Sequence, residues 1–266
     1  MPKATVRGAT INYLDSGGDE LPVLLVHAFP LNSGMWDPQI DALGDRRRLI
    51  APDLRGFGRS DVPEDPAEYS MDAYADDLRA LLDHLGIEKI VLCGLSMGGY
   101  VAFSFLRRHG DMVRALVLAD TRAAADTPEG LAGRKKMQEQ VRNEGTSRVI
   151  DALCENLLAH TSTERKADVA ARARELMDNP SAGFVGALEA MKRRPDSTGD
   201  LDDISLPVLV IVGEHDTVTP PASAREMHER IEGSTLVVIP DAGHLSNLET
   251  PEAFTGALAE FLESVG

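Results

Sequence analysis

Six short apolar runs, most of them separated by helical patterns, constrain this chain more than any other feature. "LPVLLVH" (Leu21–His27), "RLIAPD" (Arg48–Asp53), "KIVLCG" (Lys89–Gly94), "VRALVLAD" (Val113–Asp120), "LPVLVIVG" (Leu206–Gly213) and "STLVVIP" (Ser234–Pro240) are rich in Val, Ile and Leu. Near-continuous apolar strands are buried on both faces, so they predict a mostly parallel α/β sheet with helices front and back. Helical patterns at Met71–Leu85, Met97–His109, Ala222–Ile231 and Pro251–Val265 supply the covering layers. The first has Ser70 as N-cap and Gly86 beyond its end. Ala4–Val6 and Thr10–Leu14 alternate instead and suit an antiparallel edge.

The alternation breaks once. From Ala123 to Asp203 there is no convincing strand, only charged helical patterns such as "RKKMQEQVRN", "SRVIDALCENLLAH" and "ERKADVAARARELMDN". Turn-rich segments, Thr127-Pro128 and Arg193–Asp200, lie at either side. Residues 1–122 and 204–266 therefore read as one core, and 123–203 as a helical cap inserted between two of its strands.

Charge narrows the function classes. The 266 residues carry 27 basic and 43 acidic side chains, a formal net charge of −16. Such a surface repels phosphates, which argues against nucleic acid and anionic membrane as partners and leaves neutral or apolar small molecules. Arg46, Arg47 and Arg48 read as a solvated loop rather than a phosphate site. Cys93 and Cys154 form neither a disulfide framework nor a metal-ligand spacing, and Cys93 reads as a small buried residue. No stretch resembles a signal peptide or a membrane span, so a reducing cytoplasm is the expectation.

Within "KIVLCGLSMGGYVAFSF" (Lys89–Phe105), Gly94-Leu95-Ser96-Met97-Gly98 follows a buried strand and opens a helix. G-x-S-x-G in that setting is a nucleophile elbow. The serine needs a strained turn at positive φ, and side chains two residues to either side would collide with the crossing backbone. Gly94, Gly98 and Gly99 remove them. The helix that follows aims N-terminal N–H groups where an oxyanion would form.

A serine hydroxyl needs a base, and the base needs an orienting acid. His84, His109, His160 and His228 sit in or at the ends of helical patterns, His27 ends an early strand and His215 adjoins Asp216. His244, in "IPDAGHLSNLE", follows the last strand and so emerges at the same sheet edge as Ser96. Asp216, in "VGEHDTVTP", follows the penultimate strand and is the preferred acid. Asp120, at the end of "LVLADT", is its rival, and Glu214 reads as turned aside.

Taken in order, "LLVHAFP", "DLRGFGRS", "GLSMGGYVAF", "GEHDTVTP" and "DAGHLSNLE" resemble the α/β-hydrolase fold over essentially the whole chain. The nearest likeness is to small bacterial carboxylesterases, close to the enol-lactonase and cofactor-free perhydrolase branches. The resemblance implies a Ser96–His244–Asp216 triad and an oxyanion hole built from the backbone N–H groups of Phe29 and Met97. His27-Ala28 stands where the family has His-Gly; the hole survives this if residue 28 keeps a negative φ. It further implies hydrolysis of short, neutral esters through an acyl-enzyme, with no cofactor and no metal, in a monomer or small homo-oligomer. Haloalkane dehalogenases and epoxide hydrolases of this fold use an aspartate nucleophile, and position 96 is serine. Phe29, Trp36, Met97, Val218 and Leu245 flank the catalytic positions and are candidate pocket residues, with Trp36 equally a core residue. Asp53–Ser60 reads as a structural loop, and Pro30 leaves a perhydrolase side reaction open. An enol-lactonase, which would want a cationic anchor for its carboxylated substrate, and a small-molecule sensor with an intact triad are the other readings.

Overall fold

The computed structural model describes residues 1–159 and 165–265. Its strands are β1 (Lys3–Val6), β2 (Ala9–Asp15), β3 (Val23–Val26), β4 (Leu49–Pro52), β5 (Ile90–Leu95), β6 (Val113–Ala119), β7 (Val208–Gly213) and β8 (Thr235–Ile239). They form one eight-stranded sheet in the order β1-β2-β4-β3-β5-β6-β7-β8. β2 is antiparallel to both β1 and β4, and every other neighbouring pair is parallel. The alternating N-terminal segments thus make the antiparallel edge, and the six apolar runs make the parallel body.

Helices α1 (Asp37–Leu43), α2 (Met71–His84) and α3 (Met97–His109) lie between the first six strands. Helices α4 (Pro128–Glu144), α5 (Ser147–Leu157), α6 (Arg165–Leu176) and α7 (Ser181–Lys192) follow β6, and a 3₁₀ turn at Thr198–Asp203 leads into β7. Helices α8 (Pro221–Arg230), α9 (Ser246–Glu249) and α10 (Pro251–Val265) complete the chain. The expected caps form on α2: the Ser70 hydroxyl accepts from the Ala73 N–H at 2.9 Å, and Gly86 takes a φ of 69°.

Alternate residues of each central strand enter two different cores. Leu24, Val26, Leu92, Leu116, Leu118 and Val210 pack with residues of α2, α3 and α8. Val23, Leu25, Val91, Cys93, Val117 and Ile211 pack with residues of α1 and α10 on the opposite face. This is the two-sided burial that continuous apolar strands require. The consequence for function is geometric. β5, β7 and β8 run parallel, so the loops leaving their C-terminal ends emerge along one edge of the sheet. No helix among the described residues is long and apolar enough to cross a membrane.

Candidate active site

Ser96 sits between β5 and α3 with φ 55° and ψ −111°. A positive φ is costly for a residue with a Cβ and persists only where its surroundings hold it. They do so here: the Ser96 N–H donates to the Ala119 carbonyl at 2.9 Å, and the Thr121 hydroxyl donates to the Ser96 carbonyl at 2.8 Å. The turn is too tight for side chains at its flanks. A Cβ on Gly94 would lie 2.2 Å from the Gly98 carbonyl oxygen, and one on Gly98 would lie 2.2 Å from that of Val26.

The Ser96 Oγ lies 2.8 Å from His244 Nε2, and His244 Nδ1 lies 2.8 Å from Asp216 Oδ2. All three side chains are buried. Asp216 is held from several directions: its Oδ1 accepts from the N–H groups of Val218 and Thr219 at 2.8 and 2.9 Å, and its Oδ2 accepts from the Thr219 hydroxyl at 2.7 Å. Burial pushes its pKa up, but the facing His244 and the Thr219 hydrogen bonds outweigh burial and leave it below the ordinary 3.8. An ionised Asp216 can only accept, so Nδ1 of His244 carries the proton and Nε2 is free to accept from the Ser96 hydroxyl. The His244 backbone N–H donates to the Leu157 carbonyl at 2.9 Å, which ties the histidine loop to the end of α5.

Asp120, the rival acid, makes no hydrogen bond to His244. Its carboxyl is fully buried, accepting from the Gly213 N–H at 2.8 Å and from the Ser246 hydroxyl at 2.5 Å. Burial, reinforced by the charge of Asp216, pushes its pKa well above the ordinary value. Glu214 turns toward the Asp241 N–H, at 3.3 Å. Of the other histidines, His109 faces Asp76, His228 faces Ser234 and His215 faces Glu214, while His160 lies outside the described residues.

Ala28 does not adopt positive φ, so the alanine is accommodated without left-handed strain. His27 positions this loop from below. The Leu54 N–H donates to His27 Nε2 at 3.0 Å, which leaves Nδ1–H to donate to the Ala28 carbonyl at 3.0 Å. Met97 is the first residue of α3, so its N–H has no acceptor within the helix. The loop 53–60 is structural: Asp53 accepts from the Ser33 and Arg59 N–H groups and from the Asn12 side chain, at 2.8 to 2.9 Å.

A cavity of about 350 Å³ opens over Ser96 and His244, beneath the helices that follow β6. Of the residues expected to line it, Phe29 and Val218 do. Trp36, Met97 and Leu245 do not. Trp36 is fully buried with its ring centroid 6.0 Å from that of Phe254, and Met97 and Leu245 fill the cores on opposite faces of the sheet. Met97 and Leu245 directly follow Ser96 and His244, and successive side chains leave a turn on different sides, so neighbours in the chain do not share the cavity. The wall instead includes Tyr100, Arg122, Met137 and Leu188, none of which the sequence reading singled out, together with Arg134. Arg122 could have been found from its place two residues beyond Asp120, at the end of β6. Gly133, Arg134 and Met137 share one face of α4, a spacing that is visible only once that face is known to point inward.

A profile of the alpha/beta hydrolase fold family matches residues 22–251. The chain is 30% identical to the 3-oxoadipate enol-lactonase 2 of Acinetobacter baylyi over 256 residues, covering 96% of this chain and 93% of that protein. Among solved structures it superposes on a thermophilic esterase of Thermogutta terrifontis with a TM-score of 0.94 at 42% identity, covering 99% and 98% of the two chains. The enol-lactonase of Burkholderia xenovorans follows with a TM-score of 0.90 at 32% identity, covering 98% and 100%. The sheet order, the family profile and these relatives together establish that the chain belongs to the α/β-hydrolase fold family, among its esterase- and enol-lactonase-like members.

Proposed function

We propose that the chain is a serine carboxylesterase acting on short-chain esters, with Ser96 as nucleophile, His244 as general base and acid, and Asp216 as the orienting acid. The observation that carries this reading is the unbroken hydrogen-bonded series Ser96–His244–Asp216 at the base of a cavity. Ser96 Oγ attacks the ester carbonyl as its proton passes to His244 Nε2. The tetrahedral oxyanion is received by the N–H groups of Phe29 and Met97. The C–O bond to the alcohol then breaks, and the alcohol leaves with the proton from His244. Water attacks the acyl-enzyme by the same route in reverse, releasing the acid and restoring Ser96. Asp216 stabilises the imidazolium through both steps and stays ionised. The helices between β6 and β7 act as a cap, and the modest volume beneath them supports short acyl groups as substrates. Cys93 and Cys154, both buried and unbridged, suit a reducing cytoplasm.

A second reading, hydrolysis of an acidic lactone, draws on two observations. Relatives named as enol-lactonases lie at 30 and 32% identity, and the Thermogutta esterase structure holds malate, a dicarboxylate. Two arginines also face the cavity, where an uncharged ester would need none.

Hydrolysis of p-nitrophenyl esters from acetate to decanoate, by wild type and Ser96→Ala, tests the main reading. Turnover that peaks at short acyl chains and collapses in the variant is expected. Negligible turnover by folded wild type would refute it.

A further inference from the structure

One buried side chain from the helices after β6 touches the loop that carries the proposed oxyanion donor Phe29. Asn179 lies in the link between α6 and α7 and is only 4% exposed. Its Nδ2 donates to the Pro30 carbonyl at 2.8 Å and to the Leu176 carbonyl at 2.9 Å, and its Oδ1 accepts from the Gly58 N–H at 2.7 Å. Both amide protons are used, and a planar amide fixes the separation of the groups it joins.

These three groups belong to different parts of the chain. Leu176 ends α6, Pro30 follows Phe29 in the loop after β3, and Gly58 lies in the loop after β4. The turn at Gly58 is itself pinned, because the Asp53 carboxylate accepts from the Arg59 and Ser33 N–H groups at 2.9 and 2.8 Å. Asn179 therefore sets the Pro30 carbonyl at a defined distance from an anchored point. The Phe29 ring is held between the same two parts. It stands edge-on to Phe57 at 6.2 Å between centroids and to Phe184 of α7 at 5.3 Å. Among the described residues the Phe29 N–H meets no acceptor, so the donor itself is open. A different tie from α6, Arg172 to Asp37 at 2.6 Å, meets the chain beyond this loop.

We propose that Asn179 is a positioning residue for the oxyanion hole, holding the Phe29 N–H in place through the Pro30 carbonyl. This rests on the reading of Ser96 as the nucleophile of an ester hydrolase and makes its chemical step depend on the helices after β6. An oxyanion donor is effective because it is fixed before the charge develops, and a misplacement of about 1 Å costs about 10²-fold. Asn179 touches neither Ser96 nor His244, so its removal acts on the transition state and not on the triad.

The test compares Asn179→Ala, Asn179→Asp and Arg172→Gln with wild type in the hydrolysis of p-nitrophenyl butyrate. Turnover is expressed per active site, counted by labelling to completion with diethyl p-nitrophenyl phosphate. Asn179→Asp keeps the size and the acceptor for Gly58 but, once ionised, loses both donors, so it reports if the alanine variant fails to fold. In both Asn179 variants kcat should fall about 10- to 100-fold with KM within about threefold, and the acid limb of kcat/KM should stay at the same pH. The affinity of a trifluoromethyl ketone, whose adduct with Ser96 carries the oxyanion, should fall by the same factor as kcat/KM. Arg172→Gln should keep the wild-type kcat. Asn179 variants that lose Tm but keep kcat per active site, or that raise KM alone, make the residue a structural tie and overturn the proposal. Wild type that turns over no ester refutes the substrate reading by itself. The rate at which diethyl p-nitrophenyl phosphate labels Ser96, whose phosphoryl oxygen enters the same hole, then decides on Asn179. A fall of about tenfold or more in both variants supports the proposal. An unchanged rate, or no labelling of wild type, overturns it.

Discussion

Two aspartates at neighbouring strand ends, Asp120 after β6 and Asp216 after β7, have the same side chain and opposite environments. Asp216 accepts two N–H groups, a hydroxyl and the imidazole, which favours its charged form; Asp120 is fully buried and faces the charge of Asp216, which disfavours it. Their places in the sequence put both at the same sheet edge, and their hydrogen bonds distinguish them: His244 Nδ1 faces Asp216 and not Asp120. Asp216→Asn should keep the geometry but release the tautomer of His244, lowering kcat/KM by about 10³-fold or more. Asp120→Asn should have a small effect on activity, within about tenfold, because the amide can still accept from Gly213 and donate to Ser246. Its effect on stability has the other sign. A raised folded pKa means that Asp120 stabilises the fold at low pH and that this is lost as pH rises above the unfolded value near 3.8. Asp120→Asn is therefore expected to be more stable than wild type at pH 7, with the advantage shrinking toward pH 4, measured by urea unfolding across that range. Equal pH dependence in the two proteins would show that Asp120 is ionised in the fold.

Among elements, the β5–Ser96–α3 turn was the most legible in advance because several demands meet in few residues. The strand must be apolar on both faces, the serine must take positive φ, and the crossing backbone leaves no room for side chains at positions 94 and 98. Gly98→Ala would drive a Cβ into the Val26 carbonyl and is expected to cost about 1–3 kcal/mol or more, read as a fall in Tm together with loss of turnover. α7 was legible least. Its residues 183–188 are all buried, so it lacks the polar face that marks a helix in a sequence, and its core packing came into view only in three dimensions. α4 was legible as a charged helix but not in its inward contact: Arg134 on that helix is paired with a buried carboxylate beside the cavity.

Across the whole molecule, the parallel body carries Ser96, Asp216 and His244 to one edge and the helices after β6 close over it, joined to it by specific contacts at several points. The His244 N–H meets Leu157 of α5, and Asp126, just ahead of α4, gathers Arg134 on α4 with Arg122 at the sheet edge and Arg194 after α7. The strands and the strand-end places of Ser96, Asp216 and His244 were readable because periodicity and strand-end position are local properties. The lining of the cavity was not, since it depends on how two separated parts of the chain meet. Burial raises the pKa of Asp126, but its arginine partners more than reverse this and hold it well below the ordinary range. Its stabilising contribution is complete above the unfolded value near 3.8 and disappears as pH falls through the lower folded value. Asp126→Asn should accordingly destabilise the fold at pH 7 and reduce the steepness of acid unfolding below about pH 4, followed by circular dichroism. A variant as stable as wild type at neutral pH would show that the arginine cluster does not join the two parts.

The proposed reaction requires Ser96 to be a nucleophile activated by His244. Intact-protein mass spectrometry after exposure to diethyl p-nitrophenyl phosphate tests it without choosing a substrate. A single phosphoryl adduct that peptide mapping assigns to Ser96, absent in Ser96→Ala and slowed by about 10³-fold or more in His244→Ala, is the predicted result. No adduct on the folded wild type, or an adduct on another residue, would show that Ser96 is not the nucleophile.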